Sequence, residues 1–146
     1  MPAVSTTIIK ERSTMSMDRY WGRPMTVEER ERPRPTVFAC SGSANVGQLA
    51  NSCALRAESE GLALFACIAS IGCHEEKMLD LARRSPKIVA LDGCPISCCS
   101  RSLEHAGFRP TARYVMTDTG LIKDHCKLPS EKDIERAMTE VRKLLL

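Results

Sequence analysis

From residue 36 onward, short apolar runs alternate with stretches whose apolar residues return every three or four positions. Thr36-Val37-Phe38-Ala39, bounded by Pro35 and Gly42, reads as a first strand. Val46, Leu49, Ala50, Cys53, Ala54 and Ala57 then share one helical face. Asn45 is a good N-cap for that helix, Gln48 stands at the capping-box position, and Gly61 suits the residue beyond its C-terminus. Leu62 to Ala66 is a second strand, and residues 68–73 read as a loop. His74-Glu75-Glu76 opens a short helix, with His74 placed to cap it and Met78, Leu81 and Ala82 as its apolar stripe.

The third strand runs from Lys87 to Asp92. Gly93 breaks it, Cys94 follows, and Pro95 presets φ for a helix that begins within a residue or two. That helix spans about Ser97 to Ala106, buries Cys99, Leu103 and Ala106, and ends at Gly107. Arg113 to Met116 is a fourth strand, Thr117 to Gly120 a loop at the same sheet edge, and 121–129 a longer connection. Ser130 with Asp133 makes a capping box for a last helix, whose inner face carries Ile134, Ala137, Met138, Val141 and Leu145.

Four alternations of strand and helix imply a mainly parallel four-stranded sheet with right-handed crossovers and helices on both faces. The expected fold is α/β: a single three-layer α/β/α domain over residues 36–146, Rossmann-like or flavodoxin-like in its general plan. Residues 1–35 break this pattern. Prolines at 2, 24, 33 and 35, mixed charge and no sustained periodicity read as a flexible N-terminal extension, in which Tyr20-Trp21 offers a contact for a partner or a second copy in a homodimer.

Charge narrows the partners. Residues 1–35 carry 7 basic and 5 acidic side chains, and residues 36–146 carry 14 and 13, so the +3 total leaves the expected domain nearly neutral. A neutral surface with only 4% aromatic residues argues against a nucleic-acid partner. No apolar run approaches the ~20 residues of a membrane span, and the N-terminus lacks the apolar core of a secretory signal. The expectation is a cytoplasmic protein whose thiols stay reduced.

Eight cysteines in such a chain point to metal or thiol chemistry rather than a disulfide framework. Cys40, Cys67 and Cys94 each follow a strand, and Cys98 lies one turn into the helix after the third. Neighbouring strand ends in a parallel sheet lie about 4.8 Å apart, so thiols distant in sequence meet at one edge. The three-residue spacer between Cys94 and Cys98 suits paired zinc ligands, and four thiolates suit tetrahedral Zn2+ or an iron–sulfur cluster. Cysteine is also a small, frequently buried hydrophobe, which is the better reading of Cys53 and Cys99. Cys73 and Cys126 fit either role.

The residues in these positions form a recognisable set. Ala39-Cys40-Ser41-Gly42 is followed by Asn45-Val46-Gly47-Gln48-Leu49-Ala50-Asn51 and by Ala66-Cys67-Ile68-Ala69-Ser70-Ile71-Gly72. Leu91-Asp92-Gly93-Cys94-Pro95 with Cys98, then Thr117-Asp118 with Gly120 and Lys123, complete the order. Over residues 36–142 the chain resembles the DGC-domain family, named for the triplet that stands here as Asp92-Gly93-Cys94. The resemblance implies zinc binding, with Cys40, Cys67, Cys94 and Cys98 at the positions of the family's four characteristic cysteines. Ser70 and Cys73 depart from the family's usual small residues, and Cys99 from its usual alanine, which adds Cys73 and Cys99 as competing thiols.

Other site classes fail on particular residues. A low-molecular-weight phosphatase loop needs Cys-x5-Arg, and Val46 stands at the arginine position after Cys40. Gly42 and Gly47 do not make a dinucleotide fingerprint, and no phosphate-loop lysine follows them. Two readings remain. One is a four-cysteine zinc module, with Asp92, Ser41 and Thr117 available for hydrogen bonds around the thiolates. The other is a thiol redox or sulfur-transfer enzyme with Cys94 as nucleophile and Cys98 or Cys40 resolving it. An iron–sulfur protein is the variant of the first with a different metal.

Overall fold

The computed structural model describes residues 33–146. The extension expected over residues 1–35, Tyr20-Trp21 included, lies outside the described residues apart from 33–35. Four strands alternate with helices as the periodicity predicts. Strand β1 is Thr36–Ala39 and helix α1 is Asn45–Ser59. Strand β2 is Leu64–Ala66, followed by helices α2 (Ile68–Gly72) and α3 (Glu76–Arg84). Strand β3 is Ile88–Asp92 and helix α4 is Cys98–His105. Strand β4, Ala112–Val115, leads through a 3-10 turn at Met116–Thr119 to helix α5, Glu131–Leu145.

All strand pairs are parallel, in the order β2-β1-β3-β4. A parallel sheet is covered on both faces, which is why β1 and β3 are continuous buried runs. Alternation divides them between two cores. Val37, Ala39, Val89 and Leu91 pack with α1 and α5 through Leu49, Ala50, Cys53, Met138 and Val141. Phe38, Ala66, Ile88 and Ala90 pack on the other side with Ile71, Leu79, Ala82, Cys99 and Leu103 from α2, α3 and α4. A fully buried leucine such as Leu49 or Leu103 contributes about 2 kcal/mol from the transfer of its side chain alone.

Several local expectations give way to tertiary contacts. Residues 68–72 form a helical turn rather than a loop, because Ile71 is drawn fully into the core. Glu75, not His74, caps α3, its side chain accepting from the Met78 amide at 3.1 Å. His74 instead takes a left-handed backbone with φ +56°. Leu79 joins Ala82 as the buried stripe of α3, while Met78 and Leu81 are only partly buried. The capping box expected at α1 does not form. Asn45 is the first helical residue and its side chain is buried: Oδ1 accepts from both the Val46 amide of the helix and the Asp124 amide, each at 2.8 Å, and Nδ2 donates to the Ile122 carbonyl at 2.9 Å. The Asn45 amide donates to the Asp124 carbonyl at 2.9 Å. Asn45 thereby ties the 121–126 segment to the start of α1. The capping box at α5 forms as expected, through Ser130 and Asp133.

Candidate functional site

In the order β2-β1-β3-β4 the chain reverses its direction of sheet growth between β1 and β3, and open α/β sheets place ligands in the crevice at that point. The loop after β1 carries Cys40 and the loop after β3 carries Cys94. Glycines let these loops and α1 close on one another. A Cβ on Gly47 would lie 2.8 Å from the Gly42 backbone N and O, and one on Gly93 would lie 2.9 Å from the Gly47 amide nitrogen. Three backbones therefore touch where no side chain fits. Gly93 follows the last residue of β3, as its strand-breaking character predicts, and its close approach to Gly47 is the stronger reason for its presence.

Asp92 positions the next element. It is fully buried at the end of β3, and its Oδ1 accepts from the Cys99 amide at 2.9 Å and the Ser100 amide at 3.2 Å. Its Oδ2 accepts from the Ser100 hydroxyl and faces Arg113 at 3.8 Å. The carboxylate thus does the work of an N-cap from outside the helix. Ser97, the residue before α4, lies in the left-handed region at φ +57° and makes no cap bond of its own. A turn closed by the Ser97 amide on the Cys94 carbonyl, 2.9 Å, carries the chain from Cys94 to Cys98. The sequence offers Asp92 to the thiolates, whereas its hydrogen bonds serve the helix that carries Cys98.

The four cysteines read as a set occupy one edge. Cys67 follows β2, Cys40 follows β1 and Cys94 follows β3, on three neighbouring strands, while Cys98 opens α4. The Cys40 amide donates to the Leu91 carbonyl at 2.9 Å, extending the pairing of β1 with β3 to the site. Cys40 and Cys94 are half-buried, and Cys67 and Cys98 are exposed. The Cys40 sulfur accepts from the Gly42 amide at 3.4 Å. The Cys94 sulfur accepts from Lys123 Nζ at 3.6 Å, an ammonium delivered by the segment that Asn45 holds. As the side chains stand, no three cysteine, histidine or acidic groups among the described residues are gathered closely enough to enclose a metal. The donor type and the strand order fit thiolate ligation, while the side chains as they stand do not bring three of these sulfurs together. Ser41 donates to Asn51 at 3.4 Å rather than toward the edge.

The other cysteines separate by burial. Cys53 and Cys99 lie in the two cores, as their helical positions predict. Burial pushes the Cys53 thiol up to about 12. Burial, aided by the nearby Asp92 carboxylate, pushes the Cys99 thiol up as well. Both are poor metal ligands and poor nucleophiles in the native state. A folded value above the ordinary 9.0 means that the unfolded chain loses this proton first. Stability from Cys53 is therefore complete below about pH 9 and falls as pH rises toward 12. Urea unfolding between pH 8 and 10.5 should show a decline that is shallower in Cys53→Ala. An unchanged slope would show that Cys53 does not govern it. Cys73 and Cys126 are exposed, and Cys73 donates to the Ser70 carbonyl at 3.5 Å.

Lys123 and Asn45 carry roles that periodicity does not show. Both stand in the run of residues that resembles the DGC pattern, and neither contact is local: Lys123 and Cys94 are 29 positions apart, and Asn45 and Asp124 are 79 apart.

The sequence profile of the DGC domain matches residues 36–141, from the first residue of β1 to within α5. The chain is 39% identical over 113 residues to the anaerobic and virulence modulator AnvM of Pseudomonas aeruginosa, covering 77% of this chain and 86% of that protein. No solved structure matches it.

Proposed function

The chain belongs to the DGC-domain family, and from that premise we propose that it is a cytoplasmic zinc-binding protein with Cys40, Cys67, Cys94 and Cys98 as ligands. The observation that carries the reading is the strand order β2-β1-β3, which makes neighbours of three strands that are each followed within two residues by a cysteine. Tetrahedral zinc takes four thiolates, and such a set carries a net charge of about −2. Lys123 Nζ and the Gly42 amide already donate to two of the sulfurs, which offsets part of that charge. The free thiols are not gathered, so metal binding would supply the free energy that gathers them and would stabilise the fold.

Metal analysis of protein purified without oxygen or chelators should give about one zinc per chain, and Cys94→Ser should lose it. Stoichiometric zinc in Cys94→Ser would remove Cys94 from the ligand set. Iron with acid-labile sulfide would replace zinc by an iron–sulfur cluster on the same cysteines.

A second reading has its own observation. The ammonium of Lys123 on the Cys94 sulfur is the setting of a nucleophilic cysteine, with Cys98 or Cys40 to resolve it in thiol redox or sulfur transfer. Metal-free protein whose Cys94 reacts faster than the other exposed thiols would favour this chemistry over a closed zinc site. Either centre is sensitive to oxidants, which suits a role related to the one that AnvM's name records for that protein.

A further inference from the structure

Helices α2 and α4 pack side by side with a cleft of about 400 Å³ between them, open to solvent and lined by neither Cys94 nor Lys123. Cys98, Arg101 and His105 line it from α4, at spacings that place them along one helical face. His74 lines it from beyond α2, and buried Ile71 contributes apolar wall. No acidic residue among the described residues lines the cleft. The two acidic residues that follow His74 in the chain are engaged elsewhere: Glu75 accepts from the Met78 amide and Glu76 pairs with Arg83. Arg56, Arg83, Arg113 and Arg142 all face carboxylates. The Arg101 guanidinium has no such partner among the described residues.

An arginine without a counter-charge among the described residues, two imidazoles and a thiol in one cleft make a consistent demand on a ligand. Guanidinium takes carboxylate-like oxyanions in a two-pronged geometry. A volume of about 400 Å³ suits a small molecule. We infer that this cleft binds a small oxyanion-bearing ligand, with Arg101 holding the anionic group and the ligand's other end against the Cys98 sulfur. This goes beyond metal binding and holds for a free or a metal-bound sulfur.

Iodoacetate and iodoacetamide test it with one chemistry and two charges. Each forms an S–C bond at cysteine and releases iodide, so the ratio of their rates at one sulfur cancels the availability of that sulfur. The full chain as purified is treated with each at low ionic strength, and Cys98 and Cys126 are followed separately by peptide mass spectrometry. The iodoacetate-to-iodoacetamide ratio at Cys98 should fall about 5-fold in Arg101→Gln, as expected for losing one nearby positive charge. Arg101→Lys should keep most of the preference, and raising the salt to about 0.5 M should reduce it in the wild type. The ratio at Cys126 should not move. An unchanged ratio at Cys98 in Arg101→Gln, or an equal fall at Cys126, overturns the inference. Zinc content is measured on the same samples, so loss of the metal reading and loss of the cleft are separate results.

Discussion

Asp92→Ala is expected to lose about 3 kcal/mol or more of folding stability, because it strands several buried donors at once. The Cys99 and Ser100 amides and the Ser100 hydroxyl all depend on this carboxylate, and both residues are buried. Water cannot replace it without opening the start of α4. Asp92→Asn keeps an acceptor oxygen for the two amides and should cost about 1–2 kcal/mol. Arg113→Gln removes a half-exposed charge at 3.8 Å and should cost under about 1 kcal/mol. Equilibrium urea unfolding of the three variants checks the order. If Arg113→Gln were as damaging as Asp92→Ala, ion pairing rather than capping would be the role of Asp92. The consequence for the site is direct, since the capped helix carries Cys98 in its first turn.

Gly47→Ala is the second large effect, and its sign runs against helix propensity. Gly47 lies in the first turn of α1, where alanine is ordinarily better by about 1 kcal/mol. Its Cβ, however, would stand 2.8 Å from both N and O of Gly42. Those are backbone atoms of the loop that bears Cys40, so no side-chain rotation relieves the clash. Overpacking of this kind costs up to about 3 kcal/mol, which outweighs the propensity gain. Gly72→Ala is the control, because nothing lies within 4 Å of a Cβ there and its φ is not in the left-handed region. The expected result is a clear fall in the urea midpoint for Gly47→Ala, with Gly72→Ala unchanged or raised. A stabilised Gly47→Ala would mean that the loops after β1 and β3 are not locked against α1.

Much of the fold can be read along the chain. The four strands, the helices α1, α3, α4 and α5, the buried faces of α1 and α5 and the cap at Ser130 follow from apolar spacing and local turn chemistry. These features depend on neighbours within a few positions, where periodicity is informative. The prominence of Cys40, Cys67, Cys94 and Cys98 is legible for the same reason, since each follows a recognisable strand or opens a helix. Asn45 is where that logic misleads. Its sequence context is that of an N-cap with a partner at Gln48, but its side chain bonds the neighbouring Val46 amide and two backbone groups of the 121–126 segment instead. Gly47 carries a usable signal, because a glycine in a helical first turn has a cost that packing must justify.

By itself, the sequence determined the α/β alternation, the two apolar faces that each central strand must bury, and the thiols available at strand ends. The tertiary structure decided which strands are neighbours, and so which cysteines share an edge. It also decided that Asp92 caps α4, that Lys123 reaches Cys94, and that Arg101 shares a cleft with Cys98. The reason is range. Periodicity reports what one element must hide from water, whereas strand order, buried capping and charge placement join residues far apart in the chain and exist only once the backbone has closed.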